Sequence, residues 1–137
     1  MKKTLHSFRR RLAPVATLLA LAALAGCGNL SRVDDAGSTA APVFPDAASA
    51  SPQGGIRPNL DNLRAVRAGM SKTQMYLLLG VPHFQEGIVG VREWDYLLRL
   101  PVAGGEQACQ YKVLFDRNGL TSEFHWQPEA CAQAQAG

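Results

Sequence analysis

The sequence predicts an α+β domain, a two-layer arrangement of two short helices packed on a three-stranded antiparallel meander sheet (ααβββ). Two observations carry most of that prediction. Residues 69–82, GMSKTQMYLLLGVP, are punctuated as a single short helix. From residue 91 to residue 126 the apolar side chains switch to a period of two, broken at Ala103-Gly104-Gly105-Glu106 and at Asp116-Arg117-Asn118-Gly119. Alternation of that kind marks half-buried strands, and strands that follow helices after short breaks make an α+β unit.

The chain begins with an address. Lys2, Lys3, Arg9, Arg10 and Arg11 precede an apolar run at residues 12–23 that is too short to span a bilayer, so residues 1–26 read as a signal peptide. The run ends in Leu24-Ala25-Gly26-Cys27, which resembles a bacterial lipobox, where cleavage falls before the cysteine and the cysteine is acylated. An ordinary cleaved signal with an incidental cysteine is the plainer alternative. Gly28 stands where inner-membrane lipoproteins of proteobacteria usually carry Asp, so the resemblance points to the outer membrane.

Of the 14 Lys+Arg and 11 Asp+Glu, five cations and no anion lie in the signal, which leaves nine against 11 in the mature chain. The basic balance of the precursor therefore gives no ground for nucleic-acid binding, which needs a basic patch on the mature surface. Beyond Cys27 no apolar segment is long enough to span a membrane, so attachment falls to the lipid. Residues 28–58 are rich in Ala, Ser, Pro, Gly and Asp and read, with the lipidated Cys27, as a disordered tether. Such a coil spans roughly 30 Å on average and about 100 Å when extended. Within it, Val43-Phe44-Pro45 is either a short docking motif or an inert aromatic.

The folded domain is expected over residues 59–132, with 133–137 a disordered tail. Asn59 can cap a first helix carrying Leu60, Leu63 and Val66, and Gly69 provides a positive φ at the corner that follows. Ser71 and Gln74 form a capping box at the start of the organising helix. Met75, Leu78 and Leu79 make its apolar stripe, Lys72, Thr73 and Tyr76 face outward, and Gly80 and Pro82 end it. In the first strand Trp94, Tyr96, Leu98 and Leu100 alternate with the largely polar set Glu93, Asp95, Leu97 and Arg99. In the second, Cys109, Tyr111, Val113 and Phe115 point inward, and after the turn at residues 116–119 so do Leu120, Ser122, Phe124 and Trp126.

Such a small core calls for a staple. With Cys27 given to lipid, Cys109 and Cys131 remain as one pair in an oxidising compartment, and pairing across the second turn places Cys109 opposite about Gln127 or Pro128. A zinc site using Cys109, Cys131 and His125 is the alternative, although it lacks CxxC spacing. Neither a metal nor another cofactor is expected. The mature chain has only His83 and His125, and it shows no nucleophile motif, carboxylate pair or phosphate loop, which argues against an enzyme.

The helix motif at residues 69–82, with Gly69, Met70, Ser71, Gln74, Leu78, Gly80 and Pro82, together with Trp94-Asp95-Tyr96 and the hairpin at residues 113–120, resembles the SmpA/OmlA (BamE-like) outer-membrane lipoprotein family. The likeness covers about residues 60–126. It implies a lipid-anchored, periplasm-facing accessory of the outer-membrane β-barrel protein assembly (Bam) machinery, acting by protein–protein contact and helping to maintain the envelope. It also implies assembly-complex subunits, and phospholipid headgroups, as partners. Where the family usually carries an Asp-Pro-Phe type loop, this chain has residues 83–90, HFQEGIVG, so Phe84, Ile88, Val89 and Arg92 are the expected contact residues. The absent Asp-Pro pair keeps open a paralogue that binds or inhibits another envelope protein. The two-helix, three-strand unit is also similar to the repeat of β-lactamase inhibitor proteins, whose exposed sheet face would here carry Glu93, Asp95, Arg99, Lys112 and Glu123.

Overall fold

A computed structural model of the chain describes residues 30–87 and 89–135. The signal peptide, Cys27, Ile88 and the last two residues of the tail lie outside the described residues. Helix α1 (Leu60–Ala65) starts at Asn59, whose side chain accepts the Asn62 N–H. Helix α2 (Lys72–Leu79) opens on a full capping box. Ser71 Oγ accepts the Gln74 N–H at 3.2 Å and Gln74 Oε1 accepts the Ser71 N–H at 2.9 Å, so two otherwise free donors are satisfied reciprocally. Gly69 turns the chain between the helices at φ 85° and donates its N–H to Thr121 O.

Strands β1 (Glu93–Val102), β2 (Gly105–Phe115) and β3 (Thr121–Gln127) form one antiparallel sheet in the order β1-β2-β3. A tight two-residue connection joins β1 to β2, since Val102 pairs with Gly105. The turn between β2 and β3 is held by Asp116 Oδ1, which accepts the N–H groups of Asn118 and Leu120. A third helix, α3 (Cys131–Ala134), follows β3, so part of the expected disordered tail is helical. It is held by the Cys109–Cys131 disulfide, whose Cα atoms are 6.0 Å apart. Joined to each other, these sulfurs are not thiolate ligands for a metal.

Leu63, Met70, Met75 and Leu79 share one apolar core with Tyr96, Leu98, Leu100, Cys109, Tyr111, Val113 and Phe115 of the sheet. Leu78 is only half-buried at its margin, and Met75 is the fully buried member of the α2 stripe. Gly80 has a positive φ of 77°, but its ψ of −163° takes the chain straight into extended backbone and not into a left-handed helical cap. On β3 the inward set is Thr121, Phe124 and Trp126, and the expected inward Ser122 points the other way. The reason is a register shift. Val113 pairs with Phe124 but Phe115 with Thr121, so β3 carries one extra residue there and the alternation reverses.

The largest departure lies before α1. Residues 30–58 do not hang free. They cross the sheet face that carries Glu93, Asp95 and Lys112 as a strap, with one 3-10 turn at Ala47–Ser49 and an isolated parallel bridge from Ile56 to Leu98. Ala, Ser, Pro and Asp offer little apolar surface to bury, and the strap is held instead by its backbone and by side chains reaching to it from the sheet.

Candidate functional site

The covered sheet face is the most unusual place in the molecule. Strand alternation puts Glu93, Asp95 and Leu97 of β1 there, with Gln110 and Lys112 of β2, and all five are buried beneath the strap. The polar, solvated face expected from the sequence is thus an interior. At its centre Lys112 Nζ donates to Glu93 Oε2 and to Asp95 Oδ2, each at 2.7 Å. Phe44 of the strap stacks over the ammonium, with its ring centroid 5.5 Å from Nζ. Val43-Phe44-Pro45 is therefore a docking motif within its own chain, and Pro45 O accepts from Gln110 Nε2 at 2.7 Å. Glu93 Oε1 accepts the N–H groups of Leu30 and Ser31, so the same carboxylate that neutralises Lys112 clamps the start of the strap. Further along, Ser38 and Thr39 bond Glu123, and Ser122 Oγ donates to Gly37 O. His125 is half-buried, with Nε2 3.1 Å from Glu123 Oε2.

Beside this ion cluster lies a cleft of about 360 Å³, walled by Leu30, Pro45, Phe84, Glu86, Glu93 and Asp95. Two carboxyls there are pushed towards their neutral forms. Burial, with Asp95 nearby, raises Glu86 to about 8. Burial raises Asp95 to about 6 against the opposing pull of Lys112. Asp95 Oδ1 is buried without a hydrogen-bond partner among the described residues. One cation serving two carboxylates accounts for the imbalance, because a buried charge is costly unless fully compensated.

The loop after α2 protects the free edge of β1. Glu86 Oε1 accepts the Asp95 N–H, His83 Nδ1 accepts the Leu97 N–H at 3.0 Å, and Ile56 O accepts the Arg99 N–H. Outward N–H groups of an edge strand are a template for unwanted pairing, and here those of Asp95, Leu97 and Arg99 are occupied. Burial lowers the pKa of His83, which keeps the ring neutral and able to accept.

That placement corrects the contact residues read from sequence. Phe84 is 7% exposed and packs with Ala50 and Leu97, so it cannot present itself to a partner. Arg92 bonds Phe115 O and Asp34 O and ties the strap to the sheet. Only Val89 is fully open, at 86% exposure, while Ile88 lies outside the described residues. Burial of Glu93, Asp95 and Lys112 likewise removes the exposed face required for a β-lactamase-inhibitor-like interface. Tyr76 faces outward as expected, at 54% exposure, and Leu77 on α2 and Val81 just beyond it are exposed apolar residues that the sequence did not single out, at 74% and 58%. Leu77 was legible from spacing, since at about 100° per residue it lies across the helix from Met75 and Leu79; Val81 follows Gly80 and is outside the helix, so helical spacing does not place it.

Residues 55–124 match the family described as the outer membrane protein assembly factor BamE domain. The match takes in α1, α2, β1, β2 and most of β3. Most of the strap, and the disulfide-bonded α3, fall outside it.

Proposed function

The chain belongs to the outer membrane protein assembly factor BamE domain family, and on that premise we propose that it is a lipid-anchored, periplasm-facing accessory of the machinery that assembles β-barrel proteins in the outer membrane. It acts by protein–protein contact and catalyses nothing itself. Acyl chains on Cys27 hold it to the membrane; among the described residues no helix is long and apolar enough to cross one, and stable attachment takes at least two chains.

The observation that carries this reading is the exposed apolar group Tyr76, Leu77 and Val81, which lies within the residues matched to the family. Leucine at 74% exposure on a capped, well-anchored helix is surface that a monomer gains nothing by keeping, and small apolar patches of this kind suit a modest interface. The capping box and the buried Met75 on the opposite side hold that surface in place. The test is complementation in a strain lacking this chain. Leu77→Asp combined with Val81→Asp should leave the protein folded and abundant yet lower the level of outer-membrane barrel proteins. Unchanged barrel levels with that double variant would remove the proposed surface.

A further inference from the structure

The strap starts almost at the point where the sequence puts the anchor. Cys27 lies three residues before Leu30, and Leu30 is already fastened, its N–H donated to the Glu93 carboxylate with Ser31 N–H following at 3.1 Å. Three residues reach at most about 11 Å at roughly 3.6 Å each. A domain held at Leu30 and acylated at Cys27 therefore cannot float tens of ångströms from the bilayer, as it would on a free coil of the strap's length. Whatever path the short leash takes, the surface around Leu30 lies close to the lipid.

That surface is apolar where it is open. Leu30 is half exposed, and so is Val43, whose N–H donates to Ser31 Oγ at 3.0 Å beside it. Val89, the most exposed large apolar residue described, is two residues beyond Gly87, which walls the same cleft as Leu30. Of the carboxylates at this end of the molecule, Glu93 and Asp95 are buried and paired with Lys112, whereas Asp34 and Asp46 of the strap are exposed. Aliphatic side chains around an acylated residue match the outer layer of a bilayer.

We propose that the face carrying Leu30, Val43 and Val89 rests on the lipid surface, and that the strap is the spacer fixing how far and in which orientation the domain stands from the membrane. This inference rests on acylation of Cys27. It gives the extra residues before the matched domain a task of their own, that of orienting the α2 surface instead of leaving it to tumble.

The experiment uses the full mature lipoprotein in vesicles of phosphatidylethanolamine and phosphatidylglycerol. Single fluorescent labels are placed through Val43→Cys, Val89→Cys and Ala103→Cys, and quenching by nitroxide-bearing lipid is measured. Ala103 lies at the far tip of β1, a ten-residue strand from Glu93, and so about 30 Å away. Labels at 43 and 89 should be quenched several-fold more than the label at 103. Equal quenching at all three in protein that carries acyl chains and floats with the vesicles overturns the face and leaves the anchor standing. Protein that is unacylated and fails to float overturns both.

Discussion

Gly37 lies so close to Ser122 that a Cβ placed on it would stand 2.0 Å from Ser122 Oγ and 2.7 Å from the backbone nitrogen of Asp116. Its φ of +81° adds a conformation that residues with a Cβ rarely adopt. This is where the strap crosses β3, its backbone lying against the Ser122 side chain and the Asp116 backbone.

Gly37→Ala is therefore expected to lift the strap without touching the core, at a cost of about 1–3 kcal/mol from the backbone conformation alone. Hydrogen exchange should show protection lost over residues 30–50 and kept at Tyr96 and Val113. Unchanged protection in the strap would mean that it is not seated as described.

Lys112→Met is expected to cost about 3–5 kcal/mol in denaturant melts, because it leaves Glu93 and Asp95 buried with no cation. Adding Glu93→Gln and Asp95→Asn should recover part of that loss by removing the uncompensated charge. A loss below about 1 kcal/mol would place Lys112 on a solvated face.

Much of the domain was legible in sequence, and for identifiable reasons. Ser71 and Gln74 declare a helix start through local hydrogen bonding, and the turn at residues 116–119 does the same for the second hairpin, so neither depends on distant parts of the chain. Pairing across that turn put Cys109 opposite about Gln127 or Pro128, and Gln110 pairs with Gln127, which brings Cys131 within reach of its partner. The strap was illegible because its contacts carry no periodicity: Leu30, Ser31, Pro45 and Ile56 bind through backbone groups that every residue possesses. Once the strap is missed, Glu93, Asp95 and Lys112 look like surface charges and Phe84 looks like an exposed aromatic. The reversed facing of Ser122 was hidden as well, since one extra residue in β3 breaks alternation without a glycine or proline to mark it.

Stability should fall as pH rises through neutrality. Glu86 is raised from 4.5 to about 8 and Asp95 from 3.8 to about 6, so between those limits the folded chain holds protons that the unfolded chain has released. Stability rises with pH only where the unfolded state binds more protons, and here the sign is the opposite. The groups facing Glu86 are Asp95, Glu93 and Lys112, with Lys72 contributing from α2. Glu86→Gln keeps an oxygen to accept the Asp95 N–H but cannot titrate. Thermal melts should show a smaller loss between about pH 6 and pH 8 in this variant than in the parent chain. Parallel curves would assign the pH dependence elsewhere.

Reduction of Cys109–Cys131 should lower the melting temperature. The bridge closes a separation of 22 residues, worth roughly 3 kcal/mol in the chain-entropy picture. Because α3 sits on the sheet through Cys131, exchange protection should be lost there first. Identical melts of oxidised and reduced protein would show that α3 docks without the bridge.

The most direct test of the functional account is photo-crosslinking in cells from position 77, on the outer side of α2. Capture of subunits of the β-barrel assembly machinery from position 77, and not from buried position 84, is the expected result. Absence of those subunits from the adducts at 77, in cells where the protein is acylated and abundant, would contradict it.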